Sequence, residues 1–430
     1  MRQEERSRVS SSVMGRGSML VFASMLLASP IAGFGEKEAW GDAGGEFEQV
    51  QAALLSATPS SLDTSFSSDG KLTTDFDGAG SANHGGDAVA LQPDGKIIVA
   101  GVVNDNNLGI ARYNVNGSLD TSFGGDGRVI APPFGGLDQP STVLVQPDGK
   151  IVVTGTSRGS EGNDFFAIRL LANGTLDTTF SPQDGIRTID FGTPGSIDDA
   201  YGAALQADGK IVIVGGTGPN FALLRLQANG WNDNSFGNNG KVQTNIGGEF
   251  SIGQGVAIQP DGKIVVVGFG AGVDNGGIAR YLANGDLDSS FGSGGMVISS
   301  FTGRSVAILA DGKIVVGGFT TDPDFTLKFT VGRYLPNGTL DSSFGTGGKS
   351  VLDSGDEGIA SIAIQPDGFI VAAGGRTMAR FDPNGNIDTN FGGSGKINVS
   401  FGNPGTSLWT WSHQCVHIWE ARPPHASYGF

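Results

Sequence analysis

Two residue types that could do chemistry recur together along this sequence. An arginine is followed eight residues later by an aspartate, and the pair appears six times. The arginines are Arg112, Arg169, Arg225, Arg280, Arg333 and Arg380, and the aspartates are Asp120, Asp177, Asp233, Asp288, Asp341 and Asp388. Six guanidinium groups could form a ring that binds an anion. A structural role is favoured, because a partly buried ion needs a partner and an orphaned one costs roughly 3–5 kcal/mol. We therefore predict that each arginine pairs with a motif aspartate and ties one repeat to the next.

Residue types that serve nucleophilic and transition-metal sites are scarce. His84 is the single histidine of residues 62–401, and Cys415 is the single cysteine of the chain. Zinc and iron need several nitrogen or sulfur ligands that converge, so we predict no cofactor of that kind and no catalytic residues.

Calcium is the metal to consider, because oxygen-bearing side chains cluster at three places. These stretches are Asp75–Asp77, Asn104–Asn107 and Asp353–Glu357. None has the spacing of a calcium-binding loop with its bidentate glutamate. We therefore interpret them as solvated turn residues and predict no metal ligands.

Charge and composition limit the class of protein. The 430 residues include 43 acidic and 27 basic side chains, which gives a net charge of −16. This excess of negative charge repels phosphate backbones, so we predict that nucleic acid is not a partner. The 72 glycines argue against long helices, because glycine in a helix interior costs roughly 1 kcal/mol relative to alanine.

The N-terminal residues 1–35 predict a secretory signal peptide. Arginines precede the apolar run Met19–Ala28, and Pro30 and small residues follow it. The run is shorter than the roughly 20 residues that cross a bilayer as a helix. We therefore expect no transmembrane span in the mature chain and a location outside the cell, on its surface or in the periplasm.

Two further segments differ from the rest of the sequence. Residues 36–61 form a connector, in which apolar residues at helical spacing within Glu46–Thr58 predict a short helix. Residues 402–430 form an atypical tail with three tryptophans, three histidines and the lone cysteine. One hypothesis is that a truncation or a change of reading frame interrupted a further repeat in this tail.

Between these segments, residues 62–401 contain three motifs that recur in a fixed order. The first motif, LDTSF or a variant, ends at Phe66, Phe123, Phe180, Phe236, Phe291, Phe344 and Phe391. The second is QPDGK or a near variant, and the third is an apolar strand that contains the recurring arginine and precedes Asn-Gly. One unit is therefore about 55 residues long, and such a period is typical of repeat architectures.

Each unit predicts four strands and a tight hairpin. In the first unit the turn is Pro93–Gly95, where proline presets φ, aspartate bonds its own backbone and glycine takes the left-handed conformation. We predict four strands in this unit and expect them to form one sheet in sequence order. They are Lys71–Phe76, Ala88–Gln92, Ile97–Ala100 and Leu108–Tyr113.

Four antiparallel strands at this period predict an all-β fold, a β-propeller of four-stranded blades. A parallel β-helix has a much shorter rung and does not require a repeated hairpin. Six hairpins and six arginine strands predict six blades, with a surplus short strand at Lys396–Phe401. Seven blades remain an alternative if the chain from Asn403 onward supplies the missing strands.

The ordered motifs, from LDTSFG through ALQPDGKIIVAG to IARYNVNGS, resemble the delta-60 repeat, an uncharacterised bacterial propeller family found in exported proteins. The resemblance extends from Leu62 to Phe401. It implies a propeller on a secreted or surface protein, and it implies no catalytic residues.

The regular repeats lead us to expect a non-catalytic binding or scaffold module with a protein or glycan ligand. A regular repeat favours this role because an active site usually breaks local rules in a few units. The ligand is expected at the mouth of the central channel or on irregular loops, namely Asp75–Asp87, Ser157–Asp164 and Thr320–Lys328. The alternative is a metal-dependent hydrolase or lyase of calcium type with its site at the central channel. The oligomeric state does not follow from the sequence.

Overall fold

A computed structural model of the protein describes residues 66–399 with eleven short gaps, and the backbone of two strands before them. The gaps are residues 69, 75, 77–84, 104–105, 134–135, 160–161, 182–183, 193–197, 249–250, 271–274 and 356–357. Every regular element in these described parts is a β-strand, which confirms the predicted all-β class. No helix there is long and apolar enough to span a membrane.

A three-stranded sheet precedes the repeats. It is formed by β1 (Leu20–Ala23), β2 (Val50–Leu54) and β3 (Lys71–Thr74), with β1 parallel to β2 and β2 antiparallel to β3. The short helix predicted within Glu46–Thr58 is therefore wrong at Val50–Leu54, which form a strand that pairs with β3. The rest of residues 1–35 and the tail 402–430 lie outside the described residues, so the signal peptide and the origin of the tail stay predictions.

Six four-stranded antiparallel sheets then follow one another and form the blades of a propeller. Blade 1 contains β4 (Gly85–Leu91), β5 (Ile97–Val103), β6 (Asn107–Tyr113) and β7 (Arg128–Ile130). Blade 2 contains β8 (Leu137–Val145), β9 (Ile151–Gly159), β10 (Gly162–Leu170) and β11 (Ile186–Ile189). Blade 3 contains β12 (Asp198–Leu205), β13 (Ile211–Thr217), β14 (Asn220–Leu226) and β15 (Lys241–Thr244).

The last three blades repeat this order. Blade 4 contains β16 (Ile252–Ile258), β17 (Ile264–Phe269), β18 (Gly276–Tyr281) and β19 (Met296–Ser299). Blade 5 contains β20 (Thr302–Ile308), β21 (Ile314–Thr321), β22 (Leu327–Tyr334) and β23 (Lys349–Leu352). Blade 6 contains β24 (Ser361–Ile364), β25 (Ile370–Gly374), β26 (Thr377–Phe381) and β27 (Lys396–Asn398). The prediction of six four-stranded blades is confirmed.

The prediction that the short strand begins each unit is wrong, because the structure assigns this strand to the preceding blade. The strand that follows each LDxSF motif is the fourth strand of its own blade, and it does not begin the next one. In blade 1 the chain turns back after Tyr113, which bridges to Leu119, and the amide of Arg112 donates to the carbonyl of Gly127. Local turns thus hold β7 beside β6. The surplus short strand is accordingly β3 at the N-terminal side, whereas Lys396–Asn398 belongs to blade 6.

The core lies between neighbouring blades. One cluster joins Ile98 and Ile110 of blade 1 to Val153 and Phe166 of blade 2. The phenylalanine of the LDxSF motif belongs to these contacts, since Phe123 is fully buried in the same cluster. A single four-stranded sheet leaves both faces exposed, so each blade depends on its neighbours for apolar cover.

The alternation of strand directions gives the propeller two different faces. Turns of the PDGK type and the LDxSF connections lie at one end of the strands, which we call the motif face. Connections between second and third strands, and crossings from one blade to the next, lie at the other end, which we call the loop face. All three recurring motifs are therefore concentrated away from the loop face.

Candidate functional site

The motif arginines are bound within the protein. In blade 3 the Nε of Arg225 donates to Oδ2 of Asp233 at 2.8 Å, and Nη2 donates to the hydroxyl of Ser235 at 3.2 Å. Its Nη1 donates to the carbonyl oxygen of Ala283 in the next blade, and its guanidinium lies 4.4 Å from the ring centroid of Phe236. These contacts occupy donors on all three guanidinium nitrogens.

The other five blades repeat the ion pair. The Nε–Oδ2 distances are 2.7–2.9 Å for Arg112 and Asp120, Arg169 and Asp177, Arg280 and Asp288, Arg333 and Asp341, and Arg380 and Asp388. Contacts from Nη1 to a carbonyl of the next blade join Arg112 to Ala172, Arg169 to Ala228, Arg280 to Pro336, and Arg333 to Pro383. The ion pairs hold the guanidinium groups inside the motif face and so leave no ring of open anion-binding groups.

These contacts also perturb the aspartates. The Ser290 hydroxyl donates to Asp288 at 2.6 Å, and this bond outweighs the opposing effect of burial. Together with the Ser290 amide and the charge of Arg280, it lowers the pKa of Asp288 to about 2. The carboxylate is therefore ionised at neutral pH, as a structural ion pair requires.

A different set of residues lies near the propeller axis. From blade 1 to blade 6, the first strand of each blade contacts the first strand of the next. In a propeller these innermost strands surround the central axis. Five of them contain a β-bulge at the same register position, where one extra residue interrupts the pairing with the second strand. The bulge residues are Asp87, Ser141, Tyr201, Gln254 and Arg304.

The sequence spacing identifies the sixth member of this set. Every bulge residue stands seven positions before the aspartate of its PDG-type turn, and in blade 6 that position is Ala360. Bulges often re-aim a side chain beside an active site. We call these six residues the axial ring.

Close backbone approaches keep the ring compact. A Cβ on Gly202 would lie 2.6 Å from the carbonyl oxygen of Gln254, and one on Gly255 would lie 2.7 Å from that of Arg304. The bulges of blades 3, 4 and 5 therefore pack backbone against backbone. On the second strand, Gly268 also has no room for a side chain, because its Cβ would collide with the Ile252 carbonyl oxygen.

Three ring members differ in their electrostatics. Burial raises the pKa of Asp87 to about 7, against a smaller opposing effect of the Val102 amide. Burial and then the charge of Asp199 raise the pKa of Tyr201 to about 12. Burial lowers the pKa of Arg304 to about 9, and its guanidinium lies 4.5 Å from the ring centroid of Phe319. An aspartate that titrates near neutral pH can act as an acid or as a base.

Several buried polar atoms near the ring are not hydrogen-bonded within the described residues. They are the side-chain oxygens of Thr142, Ser251, Gln254, Thr302 and Ser361, all on the first strands or next to one. Buried polar groups in folded proteins are nearly always paired with protein, water or ligand. A polar occupant at the axis, such as water or a ligand, would satisfy these five atoms.

The irregular loops expected to bind a ligand share the loop face. Ser157–Asp164 and Thr320–Lys328 are less irregular than expected, because their outer residues belong to paired strands. The first contains the ends of β9 and β10 that pair with each other, and the second contains the paired ends of β21 and β22 with the turn between them. Most of Asp75–Asp87 lies outside the described residues, but its last residue, Asp87, belongs to the axial ring. Asn104–Asn107 and Asp353–Glu357, which were considered for calcium, are also described only in part.

One acidic cluster was not foreseen from the sequence. Carboxylate oxygens of Asp164, Asp190 and Asp198 lie within 4.8 Å of one another on the loop face between blades 2 and 3. Oδ2 of Asp198 accepts a hydrogen bond from the Phe191 amide at 2.7 Å, so the cluster also organises the crossing between these blades. Hard oxygen ligands of this kind suit calcium.

A signal for the axial ring was present in the sequence. The position that follows each ring residue is always small, and the next one is always apolar, whereas the ring position holds six different residue types. A position that varies from blade to blade while its neighbours stay uniform is one where the fold does not dictate the residue type. The fixed distance to the PDG turn would have identified it.

Comparison with known sequences supports a β-propeller repeat family. The chain matches a family model described as a domain of unknown function (DUF5122) β-propeller at residues 92–123, 146–180, 206–236, 259–291, 309–344 and 365–391. Each matched segment runs from the position before the PDG-type turn to the phenylalanine of the LDxSF motif. The delta-60 name stays a prediction, and no curated protein matches the sequence.

Solved structures share the fold at low identity. A virginiamycin B lyase from Staphylococcus aureus is 14% identical, with a TM-score of 0.43 over 74% of this chain and 85% of that chain. A gluconolactonase from Xanthomonas campestris is 10% identical, with a TM-score of 0.36 over 67% and 82%. An aldose sugar dehydrogenase from Streptomyces coelicolor is 13% identical, with a TM-score of 0.40 over 67% and 87%.

These neighbours correct the expectation that the chain is not an enzyme. That expectation took a regular propeller as a sign of a non-catalytic module, and the neighbours include a lyase, a lactonase and a dehydrogenase. The inference from regularity is therefore wrong. The likeness itself shows the fold alone.

Proposed function

We propose that this protein is a hydrolase or lyase whose site is the axial ring at the channel mouth of the loop face. The observation that carries the proposal is the set of bulges, which places a different polar residue at the same position of the innermost strand in each of five blades. The remainder of the repeat is nearly uniform. Departure from a repeat at one place is typical of a functional site.

The chemistry of the ring suits proton transfer. Asp87 has a pKa near 7, so it exchanges a proton readily at neutral pH and can serve as general base or general acid. Tyr201 keeps its phenolic proton at that pH and can donate a hydrogen bond to an oxygen that gains negative charge. Hydrolysis and elimination both need such a pair.

The first experiment tests Asp87. We would assay the wild type and Asp87→Asn on nitrophenyl esters, aromatic lactones and uronate polysaccharides, with the unsaturated products of elimination followed by absorbance. We expect turnover of one class, an apparent pKa near 7 in kcat/KM, and a loss of at least about 100-fold in kcat for the variant. Asp126→Asn is the matched control, because Asp126 is exposed and its ion pair is with the nearby Arg128 of the same turn. Absence of turnover in all three classes, or equal rates for the Asp87 variant, would overturn the proposal.

Calcium is a separate arm of this experiment. The carboxylates of Asp164, Asp190 and Asp198 share the loop face with the ring, but they lie at the crossing between two blades. Activity is measured after treatment with a chelator and again after calcium is restored. If the chelator abolishes wild-type activity and calcium restores it, and neither change occurs in Asp198→Asn, the calcium requirement belongs to this cluster. If the chelator leaves wild-type activity unchanged, the protein has no calcium requirement.

We also propose that the protein works outside the cytoplasm, as a member of the delta-60 repeat family, on a protein or glycan ligand. Support comes from the basic and apolar pattern of residues 1–35 and from the likeness of the motifs. The test is fractionation of the host cells with an antibody against the propeller. Recovery of the full-length chain in the cytoplasm alone would contradict it.

A further inference from the structure

We propose that Trp231 and the carboxamide side chains of its two adjacent turns form a site that binds a neutral glycan. The site lies on the motif face of blade 3, in the connection that contains the LDxSF motif of this blade. The axial ring belongs to the first strands and is proposed to open on the loop face. The inference therefore goes beyond the proposed enzymatic function and does not depend on catalysis by Asp87.

The first step is that Trp231 departs from the repeat. It directly follows the Asn-Gly turn of blade 3, at a position where the other five blades have a shorter polar residue. Those residues are Ser118, Thr175, Asp286, Thr339 and Asn386. Trp231 is 49% exposed, so its ring is not needed as core. A tryptophan in solvent at such a position offers a flat apolar face for binding.

The second step is that hydrogen bonds fix the backbone of Trp231. The Gly230 amide donates to the carbonyl oxygen of Gln227 at 2.9 Å, and the Gln227 amide donates to that of Trp231 at 2.7 Å. The Trp231 amide donates to Oδ1 of Asn229 at 3.3 Å. Because this turn is ordered before a ligand arrives, binding to the ring costs little conformational entropy of the backbone.

The third step concerns Asn232, which joins two turns. The other five blades have leucine or isoleucine at this position, and those side chains pack against the apolar clusters between blades. In blade 3, Oδ1 of Asn232 accepts a hydrogen bond from Nη2 of Arg187 at 3.1 Å, and Nδ2 donates to the carbonyl oxygen of Asn239 at 2.9 Å. Blade 3 thus has a polar link, from Trp231 to the turn of Asn239, in place of an apolar contact.

The fourth step is that the second turn presents its side chains to solvent. Asn239 has a φ of 52° and stands where blades 4 and 5 have Gly294 and Gly347. A Cβ on either of these glycines would meet nothing within 4 Å, so a side chain at this position faces open space. The exposed carboxamide residues of 227–240 are Gln227, Asn229, Asn234, Asn238 and Asn239.

The fifth step is that this surface is uncharged. Asp233 is the single charged residue of 227–240, and it is buried and paired with Arg225. A carboxamide both donates and accepts hydrogen bonds, as a sugar hydroxyl does. The apolar face of the indole can cover the C–H groups on one side of a pyranose ring. These properties match a neutral sugar.

A protein partner fits this surface less well. A standard protein interface buries about 800 Å² on each partner around an apolar core. Residues 227–240 expose one aromatic ring, because Phe236 is fully buried. One ring among carboxamides suits a single sugar unit of a longer chain.

The probes are three neutral oligosaccharides, namely cellohexaose, mannohexaose and xylohexaose, and the anionic hexagalacturonate. The indole Nε1–H resonance of Trp231 is recorded in the full chain labelled with ¹⁵N-tryptophan, and its absence from the spectrum of Trp231→Thr assigns it. We expect a saturable shift with at least one neutral oligosaccharide, with a Kd in the millimolar range. We expect no saturable shift with hexagalacturonate.

Variants that restore the repeat test the two central residues by isothermal titration. Trp231→Thr introduces the residue found at Thr175 and Thr339, and we expect it to weaken binding by at least about tenfold. Asn232→Leu should weaken binding by about threefold or more while the protein unfolds at the same or a higher temperature. A merely structural Asn232 would leave binding unchanged. Val115→Ala is the matched control, because Val115 is 44% exposed on the motif face of blade 1.

Three results would each overturn the proposal. They are equal affinity of wild type and Trp231→Thr, tighter binding of hexagalacturonate than of the neutral probes, and no saturable shift with any neutral probe. In the last case, a host protein that cross-links to the wild type but not to Trp231→Thr would identify a protein interface instead. The enzymatic proposal fails separately: Asp87→Asn should leave the shift of Trp231 intact, whether or not the wild type shows turnover.

Discussion

The guanidinium of Arg225 donates from Nη1 to the carbonyl oxygen of Ala283, 58 residues further along the chain and in the next blade, at 2.5 Å. The same side chain binds Asp233 in its own blade. One arginine thus joins a blade to itself and to its neighbour. Blade 6 differs, because no such bond from Arg380 to another blade is found within the described residues, and its guanidinium contacts the rings of Phe369 and Phe391.

This difference predicts unequal costs for removing two equivalent arginines. Arg225→Ala should lower the free energy of unfolding by about 3–5 kcal/mol, because the buried Asp233 keeps only Lys210 at 3.7 Å as an ion-pair partner and the bond to Ala283 in the next blade is also lost. Arg380→Ala removes the ion-pair partner of Asp388 in the same way, but it breaks no described bond to another blade, so we expect its cost to be smaller by about 1 kcal/mol. Urea unfolding followed by tryptophan fluorescence measures both, and equal costs would contradict the role assigned to the Ala283 bond.

Acid should weaken the motif face. The pKa of Asp288 is about 2 in the folded protein and near its ordinary value of 3.8 in the unfolded chain. Between these values the unfolded state binds more protons, so the stability from this carboxylate is present above pH 4 and is lost as the pH falls towards 2. Asp288→Asn should be less stable than wild type at pH 7, and the gap should narrow by about 1–2 kcal/mol between pH 4 and 2. A gap that is independent of pH would show that the carboxylate is not perturbed.

Asp87 should behave in the opposite sense. Its pKa is about 7 in the folded protein, so between pH 4 and 7 the folded state keeps a proton that the unfolded chain releases. Stability therefore falls as the pH rises through this interval. Asp87→Asn avoids the loss, and we expect it to be more stable than wild type by about 4 kcal/mol at pH 8, since the pKa differs from its ordinary value by about three units, and equal to it at pH 4. Thermal unfolding at both pH values measures this, and lower stability of the variant at pH 8 would refute it.

The bulges should depend on glycine in the second strand. In Gly268→Ala the new Cβ meets the Ile252 carbonyl oxygen and lies 2.9 Å from the Gly253 Cα. Because both contacts are backbone, we expect a loss of about 2–4 kcal/mol and a displaced Gln254. Gly192→Ala is the control, since nothing lies within 4 Å of its Cβ position, and its cost should stay within about 0.5 kcal/mol. Equal stability of the two variants in urea would show that the bulge tolerates the extra atom.

The repeat made much of the fold predictable. The PDG turns, the apolar second strands and the Arg–Asp spacing are local patterns, and local patterns survive in the sequence because each blade needs the same turn chemistry. The blade to which a short strand belongs was not predictable in this way. Lys71–Thr74 and Arg128–Ile130 look alike in the sequence, and pairing with the strand before or after them depends on backbone hydrogen bonds between segments.

The sequence by itself determined six hairpins, their order, and the arginine that recurs in each. Only the tertiary structure decided that Asp87, Tyr201 and Arg304 surround one axis, because these residues are separated by whole blades and meet only when the sheets are arranged side by side. The same arrangement buries Arg304 and half-buries Asp87 and Tyr201, and so moves their pKa values. Burial and proximity across such distances follow from packing between blades, and no pattern within one unit encodes them.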